Sequence, residues 1–124
     1  RQFFRNQKLY HITEDNRCFI HAGFDRYLPF DQQKESTFYW DRLLWSEALS
    51  AVENGSDAAG FEILPAFKEI YIGHTPTTNW GKDEPMTAFH ITNMDTGAGG
   101  ETGRLTIMDI DTKEYWQSEP VNRV

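Results

Sequence analysis

Two short apolar runs end alike, as Cys18-Phe19-Ile20-His21-Ala22-Gly23 and as Ile70-Tyr71-Ile72-Gly73-His74-Thr75-Pro76. Each predicts a short buried strand, bounded by turn residues and left at a histidine. Ahead of the first run, the residues up to Tyr10 read as the end of an amphipathic helix. Tyr10 to Thr13 reads as a strand, and the turn Glu14-Asp15-Asn16-Arg17 joins it to the strand Cys18 to His21 as a β-hairpin. Pro29 and alternating charges mark Gly23 to Lys34 as an exposed loop. Leu43, Leu44, Ala48, Leu49 and Val52 lie near helical spacing and predict a helix from about Phe38 to Val52, ended by Asn54-Gly55-Ser56-Asp57. From Asn54 to Gly60 the chain is a solvated connection.

The second half predicts a strand from Phe67 to Ile72, a long loop from Thr75 to Met86 and a strand from Ala88 to Asn93. A hairpin follows, Arg104 to Ile110 and Glu114 to Gln117, joined by Asp111-Thr112-Lys113. Its alternation puts Leu105 and Ile107 on a buried face and Thr106 outward. The pattern as a whole predicts an α/β (α+β) chain without internal repeats or low-complexity tracts.

At 124 residues, 39% hydrophobic and 15% aromatic, the chain is one domain at most, with enough apolar material for a core. A net charge of −7, with scattered basic residues, argues against a nucleic-acid partner, because phosphate-backbone binding needs clustered Lys and Arg. No apolar stretch approaches the roughly 20 residues that span a membrane, and no signal peptide is visible. No membrane partner and a cytoplasmic location are therefore the expectation. The single cysteine, Cys18, reads as a small buried hydrophobe.

A polar imidazole at a strand exit, where a Gly/Pro turn begins, stands where an open α/β sheet meets its ligands. Taken singly, such a histidine is more often a hydrogen-bonded structural group. Two of them, His21 and His74, suggest a shared metal, since neutral imidazole is the commonest transition-metal donor. Two histidines do not complete a hydrolytic centre, which also takes carboxylates, one of them bridging when two metals lie about 3.5–4 Å apart.

In order and spacing, the His21-Ala22-Gly23 strand end, Trp40-Asp41-Arg42, Gly73-His74-Thr75-Pro76 and Asp95-Thr96-Gly97 resemble the C-terminal half of calcineurin-like metallophosphoesterases, in particular bacterial serine/threonine protein phosphatases. The resemblance runs from the Phe19 strand to the Trp116 strand. It implies a β-sandwich flanked by helices, with residues 1–124 forming the C-terminal portion of one metallophosphoesterase domain. The family's N-terminal motifs, Asp-x-His, Gly-Asp-x-x-Asp and Gly-Asn-His-Asp/Glu, are absent, so the chain is expected to be the back half of a longer phosphatase and inactive alone. An open sheet edge would then invite homo-oligomerisation.

The resemblance implies hydrolysis of phosphomonoesters, or of a phosphoprotein, by a metal-bridging hydroxide over two divalent ions (Mn, Fe or Zn), of which His21 and His74 would bind one. Arg42 would clamp phosphate oxygens; a competing alignment on Leu44-Trp45-Ser46 would put Glu47 there instead, whose charge repels phosphate. Asp95 would orient His74 or the turn backbone, and Asp25 and Asn79 would lie at the substrate mouth. His11 and His90 match no motif. The Gly97 to Gly103 run precedes a strand and reads as a loop. Two alternatives stay open: a hydrolase of the same fold acting on a nucleotide polyphosphate such as diadenosine tetraphosphate, and a non-catalytic interaction module.

Overall fold

The computed structural model describes residues 10–97 and 104–118. The helix end expected before Tyr10 and most of the glycine-rich run lie outside them. Five strands form a mixed sheet in the order β1-β2-β3-β5-β4: β1 Tyr10–Ile12, β2 Arg17–Ile20, β3 Glu69–Ile72, β4 Met86–Ala88 and β5 Ile91–Asn93. The pairs β2–β3 and β3–β5 are parallel, with Cys18 opposite Ile70 and Ile70 opposite Ile91. The outer pairs are antiparallel. Two further strands, β6 Thr106–Met108 and β7 Tyr115–Gln117, make a separate antiparallel pair. The chain is mixed α/β, and its described residues show no two-sheet sandwich.

Alternation along the strands decides which side is the core. Cys18, Ile20, Ile70, Ile72, Ala88 and Ile91 point to one face and pack with Phe24, Phe38, Leu44, Trp45, Ala48, Leu49 and Phe61. The intervening Phe19 and Tyr71, direct cross-strand partners, stack on the opposite face with ring centroids 5.0 Å apart. Cys18 is fully buried, and burial pushes its thiol up to about 12, so it is protonated and inert.

The single helix expected from Phe38 to Val52 is two helices, α1 Glu35–Trp40 and α2 Leu43–Glu53. Asp41 makes the break: its Oδ2 accepts the backbone N–H of Leu44 at 2.9 Å, the geometry of a helix N-cap. The buried stripe of α2 is Leu44, Trp45, Ala48 and Leu49, while Leu43 and Val52 are exposed. Gly23 is what lets this cap reach the sheet. A Cβ there would sit 2.5 Å from Asp41 Oδ2 and 3.3 Å from Leu44 Cβ.

The strand expected from Ala88 to Asn93 is also divided, because Phe89 takes a left-handed conformation (φ 57°) and turns β4 back onto β5. Its ring stacks on Phe61 at 5.1 Å, a tertiary contact that offsets the strain. No Asn-Gly or Asp-Gly signal announces this turn.

The β6–β7 pair reverses the expected facing. Leu105, Ile107 and Trp116 are exposed, whereas Thr106 is half-buried, its Oγ1 2.7 Å from Thr96 Oγ1 and accepting from Gln117 Nε2 at 3.1 Å. Thr106 turns in because Thr96, itself buried, offers it a hydrogen bond, and this outweighs apolar alternation. Charges tie the pair to the main sheet. Lys113 Nζ lies 2.6 Å from Glu69 and donates to the Tyr71 hydroxyl at 2.9 Å. The buried Arg17 lies 2.7 Å from Asp111 and 2.9 Å from Glu69.

Burial alone would raise the Glu69 carboxyl; its bonds from Lys113 and Tyr71 and the charge of Arg17 outweigh this and hold it below the usual range. A carboxylate so lowered stabilises the folded state above its unfolded pKa, and that contribution disappears as pH falls through the folded one. Protection of the β6 and β7 amides, taken relative to their intrinsic exchange rates, should therefore fall on acidification below the ordinary glutamate range, and Glu69→Gln should show reduced protection already at neutral pH. Gly23→Ala should lower the unfolding free energy by about 1–3 kcal/mol in urea titration, through loss of the Asp41 cap and local overpacking.

Candidate functional site

The three parallel strands end side by side, and the residues just past their C-terminal ends form one cluster. His21 follows β2 directly and His74 stands two residues beyond β3, their ring centroids 5.2 Å apart. Asp95 stands two residues beyond β5. Arg42, at the entry to α2, and Asp95 both lie close enough to His74 for their charges to act on it.

Two buried polar groups hold the His74 turn. Asn93, fully buried at the end of β5, donates from Nδ2 to the Thr75 carbonyl at 2.7 Å and accepts the Asp95 N–H on Oδ1 at 2.9 Å. The Asp95 carbonyl accepts the N–H of buried Thr77 at 2.8 Å, and Asp95 Oδ1 accepts that of Gly97 at 3.1 Å. Fixed in this way, His74 adopts a left-handed backbone (φ 74°), a conformation that costs a non-glycine residue on the order of 1 kcal/mol or more. Gly73 brings the second turn onto the first: its N–H donates to the His21 carbonyl at 2.8 Å, and a Cβ would lie 3.2 Å from that oxygen.

The imidazoles are steadied by aromatic rings. Tyr39 stacks on His21 at 4.5 Å and 13°, and Trp40 meets His74 edge to face at 5.6 Å. No side-chain hydrogen bond to either imidazole occurs among the described residues. Burial first, then the charges of Arg42 and His21, lower the pKa of His74 against the opposing effect of Asp95. His74 is thus biased toward the neutral form, the one with a lone pair to give.

Two imidazoles on one cation, each nitrogen about 2.1 Å from it, have ring centroids about 5 Å apart, and this pair meets that requirement. Among the described residues no group of three or more His, Cys, Asp or Glu side chains is placed to hold a metal. The pair could offer at most two ligands, and any further ones would have to come from outside the described residues.

The other residues singled out in the sequence lie apart from the pair. Asp25 closes its own loop: its Oδ1 accepts the Tyr27 N–H at 2.9 Å, and its backbone exchanges hydrogen bonds with the Gln33 amide at 2.8 and 2.6 Å. Asn79 is exposed in a short 3-10 turn, Thr77–Trp80. Neither makes a described contact with the imidazoles. Glu47, the competing occupant of the arginine position, pairs with Arg26 at 3.1 Å.

Sequence reasoning passed over Asn93 and Tyr39. Asn93 carried one signal, an amide at an inward-facing strand position; Tyr39 carried none, because only the fold lays it on His21. A cavity of about 430 Å³ elsewhere is lined by Arg26, Tyr27, Phe61, Glu62, Leu64 and His90. Its cation is already engaged by Glu47 and by the Glu62 carbonyl at 2.7 Å, and burial lowers the pKa of His90. A shallower groove of about 580 Å³ runs over the open face of the sheet, along Phe19 and Tyr71, and ends at His21 and Gly73.

Among known proteins, no family model and no curated protein matches the chain. Asn93→Leu should leave the Thr75 carbonyl and the Asp95 N–H without their partner, lowering stability by about 1–3 kcal/mol in denaturant titration. It should also broaden the His74 ring resonances while those of His11 remain unchanged.

Proposed function

We propose that the chain is the metal- and phosphate-binding C-terminal part of a phosphoesterase, of the calcineurin-like type that its motifs resemble, acting on phosphomonoesters such as those of a phosphoprotein. The observation that carries this reading is the convergence of His21, His74, Arg42 and Asp95 at the C-terminal ends of three parallel strands, with the two imidazoles at the separation one cation requires. The sandwich of the resembled family and the division of its domain into two halves belong to the same proposal.

A divalent ion bound there would supply an electrophile for a phosphoryl oxygen and lower the pKa of water to a working value. The chain's own residues hold the ion and orient the phosphate. His21 and His74 offer ring nitrogens from turns that Asn93, Asp95 and Gly73 make rigid. Arg42 is exposed, and among the described residues no carboxylate pairs with it, so its planar fork is open to two phosphate oxygens. That charge offsets the negative charge carried by the equatorial oxygens during transfer. Further metal ligands and the acid for the leaving oxygen would come from outside the described residues.

A second reading, a non-catalytic interaction module, is favoured by one observation: Leu105, Ile107 and Trp116 lie together on the outer side of β6 and β7, each more than half exposed. Hydrolysis of p-nitrophenyl phosphate with Mn²⁺ by the parent protein separates the two. Arg42→Ala should lower kcat/KM about 10²- to 10³-fold, as for loss of one preorganised donor to a developing oxyanion, and His74→Ala should remove metal-dependent turnover. A parent inert with every divalent ion tried would leave the interaction module standing, whereas variants as active as an active wild type would take Arg42 and His74 out of the catalytic site.

A further inference from the structure

Trp40 is at once the most exposed tryptophan of the described residues, at 63%, and a neighbour of the candidate site. Its ring meets His74 at 5.6 Å and 77° and Tyr39 at 5.0 Å and 84°, both edge contacts; among the described residues no ring stacks on it. Tyr39, in contrast, spends a face on His21. Trp40 does not dangle. It ends α1, whose Phe38 carbonyl accepts the Ala22 N–H at 2.9 Å, and it precedes Asp41, which caps α2. The helix end is thus pinned to the same strand exit that presents His21.

We infer that Trp40 is a specificity-determining platform that stacks on a planar aromatic group esterified directly to the phosphate, so that the site favours phenolic phosphate monoesters over aliphatic ones. This rests on the phosphoesterase reading. The geometry that favours it is the combination of an anion-attracting pole and an open ring. Arg42 follows Trp40 by two residues and the Trp40 ring borders His74 at 5.6 Å, so a ring carried on a phosphate held by Arg42 and the histidine pair would have an exposed indole beside it. An aliphatic chain at the same position meets the indole without the ring-to-ring term. The indole also holds its position with few rotatable bonds, so little conformational entropy is lost when a ligand stacks on it.

Phenylphosphonate and methylphosphonate test this without turnover, since neither can be hydrolysed and both present the same anionic head. Binding to the parent protein with Mn²⁺ present is read by calorimetry and by quenching of tryptophan emission. Phenylphosphonate should bind about three- to tenfold more tightly than methylphosphonate. Trp40→Ala should bring the ratio of the two affinities to one, whatever its effect on the shared anionic head, and Trp40→Phe should restore most of the preference. Equal affinities in the wild type, or a preference that survives Trp40→Ala, would overturn the platform while leaving the phosphate site intact. If neither phosphonate binds, the phosphate site itself falls and the platform with it. Trp40 is largely exposed and outside the core, so the alanine variant is expected to fold, and its circular dichroism checks this.

Discussion

The buried amide of Asn93 is the constraint on which the site depends. A primary amide with no exposed surface is tolerable only when its polar atoms are paired, and Asn93 pairs them with two different turns: the carbonyl of Thr75, after β3, and the N–H of Asp95, after β5. The parallel register that sets Ile72 opposite Asn93 makes this reach possible. One side chain thus converts the adjacency of two strands into a fixed distance between the loops that follow them. The left-handed backbone of His74 persists because those bonds over-determine it.

From that anchor the remaining parts fall into place in sequence. Gly73 carries the second turn to within a hydrogen bond of the His21 carbonyl, and Gly23, two residues beyond His21, admits the Asp41 carboxylate that starts α2. The short helix α1 is held between these points, so Tyr39 and Trp40 are laid against the two imidazoles. Among the described residues no side-chain hydrogen bond orients either imidazole; stacked and edge-on rings border both. Burial makes the opposite demand on Asp41. Its carboxyl is pushed above the usual range by desolvation, opposed by its bonds to the Leu44 and Leu43 N–H groups, so the cap carries a cost in charge that Asn at the same place would not.

The second strand pair shows how a polar contact redirects a pattern. Alternation of Leu105, Thr106 and Ile107 argued for an apolar inner face, yet the inner face carries Thr106 and Gln117. Thr96, Arg17 and Glu69, brought by other parts of the chain, meet Thr106 and the Asp111 and Lys113 charges of the pair's own turn and fix how this pair lies against the sheet. Apolar area then remains on the outside, where a further layer or a partner has something to cover.

Local pattern determined the existence of β1, β2 and β3, the hairpin turn before Arg17, the second strand pair, the burial of Cys18 and the placement of His21 and His74 just past two strand ends, because short apolar runs and turn residues are legible within a few neighbours. The break at Asp41, the turn at Phe89, the orientation of Thr106 and the roles of Asn93 and Tyr39 were decided only by tertiary structure. In each case the deciding partner is remote or across a turn: Gly23 for Asp41, Phe61 for Phe89, Thr96 for Thr106, Thr75 for Asn93 and His21 for Tyr39. Periodicity reports which side of an element is apolar; it carries no information about the buried hydrogen bonds and ring contacts that form only when separate segments meet.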